Sequence, residues 1–349
     1  MKKKLLFSII SIVLILTTVF FIACDGETEQ FDENINLDHD DLGVAPNEAA
    51  QAGIDKPDAS KLSASSAELT EDAAVKEAAT YLFNIANGNL AKVSYFANYA
   101  FGSGVATVTN LKMSGSMQVR EVRIKDGAAM YMVTLGRVIN GYNTDTPDEN
   151  NANILGACRA LLDYGNRKYT PDGQTFYVQS GKSKCLLENS VDNFYTDTPY
   201  IDWDKCNKVR AMTVSEFMKE DYYNKSYVET TNADITPENI ESASIVHNDK
   251  EGYYEIEIKV DVTSNALKLA TESTRNSANS NDIVYRYQTI KCQIWDCGLF
   301  RLYETYDSWA GSIITILNGY SENQWHKYFT YNKENAPLYQ IPSDTSWAK

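Results

Sequence analysis

Apolar and polar positions alternate most strictly over residues 253–262, where Tyr254, Ile256, Ile258, Val260 and Val262 share one parity and Glu255, Glu257, Lys259 and Asp261 the other. A period of two puts the first set on one face of a β-strand and the second in water, which is how an antiparallel sheet with one wet face reads. Residues 242–247 precede this strand across the turn-forming Asn248-Asp-Lys-Glu-Gly252, predicting a hairpin. The alternation resumes over 282–296 with Ile290, Cys292 and Ile294 in phase. It returns over 300–309 after Asp296-Cys-Gly298, and 325–331 reads as the last strand.

Helical spacing appears earlier. Thr70 is a candidate N-cap with Glu71 and Asp72 in the first turn, and Val75, Ala78, Leu82 and Ile85 recur on one face up to Gly88. From there to about Gly181 the text is mostly strands and turns. Lys125-Asp-Gly, Asn140-Gly and Asp172-Gly are hairpin signals that separate 111–124, 128–139 and 174–180. Phase slips inside the first of these, since Met117 and Val119 oppose Val122 and Ile124, and a bulge would repair it. Residues 151–165 read as a short helix or irregular crossover. Thr213-Val-Ser-Glu216 is a capping box with Met212 placed to staple onto Phe217, predicting a helix to Tyr222 or Tyr223. Residues 266–273 predict a helix crossing back over the sheet, and no repeat of 20 to 50 residues is found.

The N-terminus changes the picture. Lys2, Lys3 and Lys4 precede 19 uncharged residues, Leu5 to Ala23, which at ~1.5 Å per residue would reach across a bilayer with the start on the cytoplasmic side. A cleaved secretory signal, an uncleaved anchor and a lipoprotein signal all fit such a run. Ile22-Ala23-Cys24 resembles the lipobox, in which the cysteine becomes thioether-linked to diacylglycerol, although Phe21 stands where Leu is usual. The reading adopted is a signal peptide over 1–23, lipid on Cys24, and a body held outside the cytoplasm at the membrane.

Charge then divides the exported part. Residues 25–69 hold twelve acidic residues and two lysines of a chain whose net charge is −15. With no periodic apolar face, 24–69 reads as an acidic disordered spacer, leaving 70–349 as a single β-rich domain. A calcium site at Asp38, Asp40 and Asp41 is the sharper alternative, but the remaining ligands of an EF-hand loop are missing. An acidic balance of 32 Lys plus Arg against 47 Asp plus Glu excludes basic-patch nucleic-acid binding. With 23 Tyr, 12 Phe and 5 Trp, a wholly disordered chain is excluded too.

The succession Tyr227-Val-Glu-Thr-Thr, Ile240-Glu-Ser-Ala-Ser-Ile245, Tyr253-Tyr-Glu-Ile-Glu-Ile258, a helical crossover, Gln293-Ile-Trp-Asp, Leu302-Tyr-Glu-Thr-Tyr306 and Tyr328-Phe-Thr-Tyr331 resembles uncharacterised surface lipoproteins of low-GC Gram-positive bacteria. Their layout is similar to that of lipoprotein carriers related to LolA and LppX. The resemblance spans about residues 70–335 and rests on element order. It implies a curved antiparallel sheet wrapped over helices and brings no catalytic residues.

The search for chemistry is mostly negative. Gly181-Lys-Ser183 echoes the end of a P-loop, but Phe176 stands at its first glycine, so a turn is the better reading. No Gly-x-Ser-x-Gly elbow occurs. The three histidines, His39, His247 and His326, have no zinc spacing, and His326 reads as a strand residue. Beyond Cys24 the cysteines are Cys158, Cys185, Cys206, Cys292 and Cys297. Cys292 reads as a small core residue, and Cys185 with Cys206 is a possible disulfide in an oxidising compartment. Asp202 and Asp204 flank Trp203 as paired acids flank an aromatic in sugar-active sites, although a solvated loop with a packed Trp is the better reading.

The expectation is an α+β domain, a curved antiparallel half-barrel with helices on its concave side. It takes no cofactor or metal, is not an enzyme, and binds a lipid or other apolar ligand in a cavity lined by Tyr254, Ile256, Ile258 and Val260. The alternative is a surface module that recognises protein or glycan without a cavity.

Overall fold

The computed structural model describes residues 44–63, 66–125, 128–146, 151–187, 201–220, 235–268, 271–272, 275, 282–313, 317–332 and 340–349. Cys24, His39 and the Asp38 cluster lie outside them, as do residues 269, 270 and 273 of the predicted 266–273 helix, whose start is the 3-10 turn Asn265–Leu267. Twelve strands form one open antiparallel sheet. They are β1 (Ser66–Thr70), β2 (Tyr95–Val108), β3 (Leu111–Ile124), β4 (Ala129–Asn143), β5 (Tyr164–Thr170), β6 (Thr175–Lys182), β7 (Arg210–Thr213), β8 (Ile240–Asn248), β9 (Tyr253–Val260), β10 (Val284–Trp295), β11 (Phe300–Ile313) and β12 (Leu317–Thr330). Their order is β1-β8-β9-β10-β11-β12-β2-β3-β4-β5-β6-β7, so β1 and β7 are the edges. Among the described residues, the α-helices with defined bounds are α1 (Ala73–Asn89), α2 (Asn151–Leu162) and α3 (Val214–Glu220).

Cross-strand partners share a face, so register alone traces each surface. One row runs Ala243, Ile258, Ile290, Thr305, Trp325, Gly102, Met117, Gly136, Tyr164 and Lys182. Large rings on this face lie over glycines. A Cβ at Gly102 would sit 2.8 Å from the Trp325 indole, and one at Gly136 would run into the Tyr164 ring. All three helices cover this same face. Helix α1 packs Val75, Leu82 and Phe83 with Ile245, Ile258 and Ile290. Helix α2 places Cys158 and Leu162 against Val108, Met113 and Val138, and α3 seats Phe217 among Met130, Phe176 and Met212.

The next row, on the opposite face, explains the irregular phase of the N-terminal strands. It runs Glu257, Lys291, Glu304, His326, Phe101, Gln118, Leu135, Gly165 and Gly181, charged on one half of the sheet and mostly apolar on the other. The apolar half is covered by Cys185, Ile201 and Trp203 from the β6–β7 connection and by Ile341 and Trp347 near the C-terminus. Strand β3 is therefore apolar on both faces: Met117 and Val119 lie on the helix side and Val122 under Ile341. The expected bulge between 119 and 122 is absent, and the register shift falls at Ser114/Gly115 opposite Asn140, so Asn140-Gly141 lies inside β4 rather than at a turn.

Two boundaries move. Asp72, not Thr70, caps α1, its carboxylate accepting from the Ala74 and Val75 amides at 2.8 and 3.3 Å, while Thr70 ends β1. Within the segment read as a spacer, the described residues 44–63 and 66–69 include positions that pack on the domain. Ala50 and Leu62 are buried in the α1 core, and Ser66–Thr70 pairs with β8. The Thr213/Glu216 capping box forms, with Thr213 N donating to Glu216 at 2.8 Å and Glu216 N to Thr213 Oγ1 at 3.3 Å.

Candidate functional site

Ile256, Ile258 and Val260 sit in the closed core beneath α1, and Ile258 is 0% exposed. They pack against Leu82, Phe83 and Ala86 rather than line an opening. Tyr254, at the end of the same face, is half-buried, its ring 4.3 Å from His247. His247 itself carried no sequence signal. Its Nδ1 lies 2.6 Å from Asp249 and its Nε2 2.9 Å from Asp296. Burial alone would lower its pKa, but the bonds to Asp296 and Asp249 outweigh burial and raise it.

Farther along the helix side, between α1 and α2, polar groups replace aliphatic ones. Asp307 accepts from Asn323 Nδ2 at 2.6 Å, and burial pushes its carboxyl up to about 7. Lys327 lies 5.5 Å from the Tyr303 ring centroid, its pKa lowered by burial. Glu121 accepts from Asn98 on the neighbouring β2 and from Arg123 on its own strand. The set is polar enough to oppose an acyl-lined interior.

The outer face of β9–β12 is the other candidate. Glu257 and Lys291 pair at 3.3 Å, Glu304 bonds to His326, and Lys291 lies 5.7 Å from the Tyr306 ring centroid. Burial, with Glu304, Tyr328 and Glu257 nearby, pushes the Tyr306 hydroxyl up to about 12. Along the strands from this charged row the surface becomes aromatic. Val284, Ala310 and Tyr320 are cross-strand partners, and Tyr287 lies opposite Ser308. Val284, Tyr287 and Tyr320 are 53%, 42% and 38% exposed. Two residues of strand cover about 7 Å, so Tyr306, Tyr287 and Tyr320 stand at successive levels spanning about 14 Å along the strands, with Tyr287 and Tyr320 on opposite sides of β11.

Other expected features resolve simply. Asp202 and Asp204 do not share a face of an extended segment, because 203–205 is a single 3-10 turn. Asp202 pairs with Lys205 at 2.7 Å, which holds its carboxyl below the usual range. Trp203 packs on Arg167, whose guanidinium lies 4.4 Å from it and 3.9 Å from Trp347. Gly181-Lys-Ser183 is the end of β6 and the start of a 3-10 turn. Cys292 is buried in the core as its phase predicted.

No family model matches the chain, and no curated protein matches it.

Proposed function

We propose that this is a lipid-anchored, extracytoplasmic and non-catalytic surface module that holds a neutral glycan against the outer face of β10–β12. The observation that supports it most is the exposed set Val284, Tyr287 and Tyr320, on β10 and β12 either side of β11, with a row of carboxylate, ammonium and imidazole groups farther along the same strands. Exposed aromatics grouped this way mark interaction sites. Flat rings stack on the C–H faces of sugars, and the charged and amide groups alongside bind hydroxyls. A net charge of −15 repels anionic polymers and favours a neutral one. Cys24 would supply the membrane anchor.

The architecture that suits this reading is a half-barrel with α1, α2 and α3 on its concave side, as the resemblance to lipoprotein carriers implies. All three helices on one face support it, as does the strong twist normal for so many strands. The acyl-ligand reading loses ground because its candidate face is occupied by α1. Retardation of the protein in gels containing neutral polysaccharide tests the proposal, and an unretarded protein would overturn it.

A further inference from the structure

We infer that Cys185 and Cys206 form a disulfide that ties the β6–β7 connection to itself over Gly181. Cys185 closes the 3-10 turn Ser183–Cys185 after β6, and Cys206 caps the turn Trp203–Lys205. Local pairing brings the two turns together. Asp202 N donates to Cys185 O at 2.7 Å, Leu186 and Ile201 form an antiparallel bridge, and Asn207 N donates to Ser180 O at 2.9 Å. Both sulfurs then converge on one spot. A Cβ at Gly181 would lie 2.6 Å from Cys206 Sγ and nearer still to Cys185 Sγ. Only glycine leaves room for the pair. Cys158 and Cys292 are buried in separate clusters under α2 and α1.

The reaction is thiol exchange with an external disulfide, the oxidant class open to an exported chain. Cys206 is half-buried and Cys185 fully buried, so Cys206 is the thiol that meets the oxidant. Its thiolate attacks one donor sulfur and expels the other as a thiol. The Cys185 thiolate then attacks Cys206 Sγ and expels the second donor thiol. Two protons leave the protein, and the donor takes up two electrons as two thiols. Burial and the neighbouring Cys185 push the Cys206 thiol up to about 12, so uncatalysed exchange at neutral pH is slow.

The test uses the full chain in detergent, treated with glutathione disulfide at about pH 8.5, and in parallel unfolded and refolded in a glutathione redox buffer. After alkylation, non-reducing trypsin digestion should yield peptides 185–205 and 206–208 joined through Cys185 and Cys206. The oxidised protein should melt several degrees above its dithiothreitol-reduced form. Cys206→Ser should remove both the linked peptides and the dithiothreitol effect. Both cysteines alkylated after either treatment, or either one linked to Cys297, would overturn the inference. The experiment does not depend on what the outer face binds.

Discussion

The Asn89 side chain and the Asp55 backbone exchange two hydrogen bonds: Asp55 N donates to Asn89 Oδ1 at 2.8 Å, and Asn89 Nδ2 donates to Asp55 O at 2.9 Å. The same Nδ2 donates to Gly298 O at 2.8 Å, so one fully buried amide at the end of α1 joins the acidic N-terminal segment to the β10–β11 turn. Asn89→Ala would leave these backbone groups without their partner and should cost about 1–3 kcal/mol in urea unfolding. Deleting residues 44–62 should cost more than the point change. A deletion that leaves the midpoint unchanged would show that this segment contributes nothing.

Ile258 separates packing from cavity. In a filled core Ile258→Ala should cost about 2–5 kcal/mol, and Ile258→Trp should fold poorly because α1 leaves no room. A Trp variant that melts like wild type would reveal an unfilled space there.

Asp307 gives a pH dependence whose sign is fixed. Its native carboxyl titrates at about 7 against an ordinary 3.8, because burial disfavours the charge. Between those values the folded state holds the proton and the unfolded state does not, so stability is greatest below about pH 4 and falls as pH rises through about 7. Asp307→Asn keeps the Oδ1 acceptor for Asn323 and removes the charge. It should stabilise at pH 8 by up to about 4 kcal/mol, and by almost nothing at pH 4. Equal effects at the two pH values in urea unfolding would contradict a desolvated carboxyl.

Much of the C-terminal half was legible in the sequence because one face of it is wet. Strict alternation from Tyr253 onward located β9, its partners and the outward set Glu255, Glu257 and Lys259. The N-terminal half was harder because the β6–β7 connection and the C-terminal residues cover its second face, which erases the period of two. The β2–β3 turn was illegible for another reason. Thr109 holds φ 55°, a conformation in which β-branched residues are outliers, so no Gly or Asp-Gly signal marks it. The tyrosine platform needed register. Val284 and Tyr320 flank Ala310 at one level only because a shift between Tyr285 and Tyr287 realigns β10 with β11. Polar Asp307 on the helix side likewise has no local cue, since its neighbours in sequence alternate as an ordinary strand.

The proposed anchor rests on Cys24. Cys24→Ala should abolish labelling by a clickable fatty acid. Unchanged labelling would mean that the lipid is elsewhere or absent.

The central claim is that the outer face of β10–β12 binds. Its most direct test compares the chain from residue 25 onward with its Tyr287→Ala/Tyr320→Ala double variant, by affinity electrophoresis through neutral polysaccharide. Wild type should be retarded, and the double variant should bind at least about tenfold more weakly, a loss of about 1.4 kcal/mol, while melting like wild type. Equal retardation of the two proteins, or none of either, would contradict this binding face.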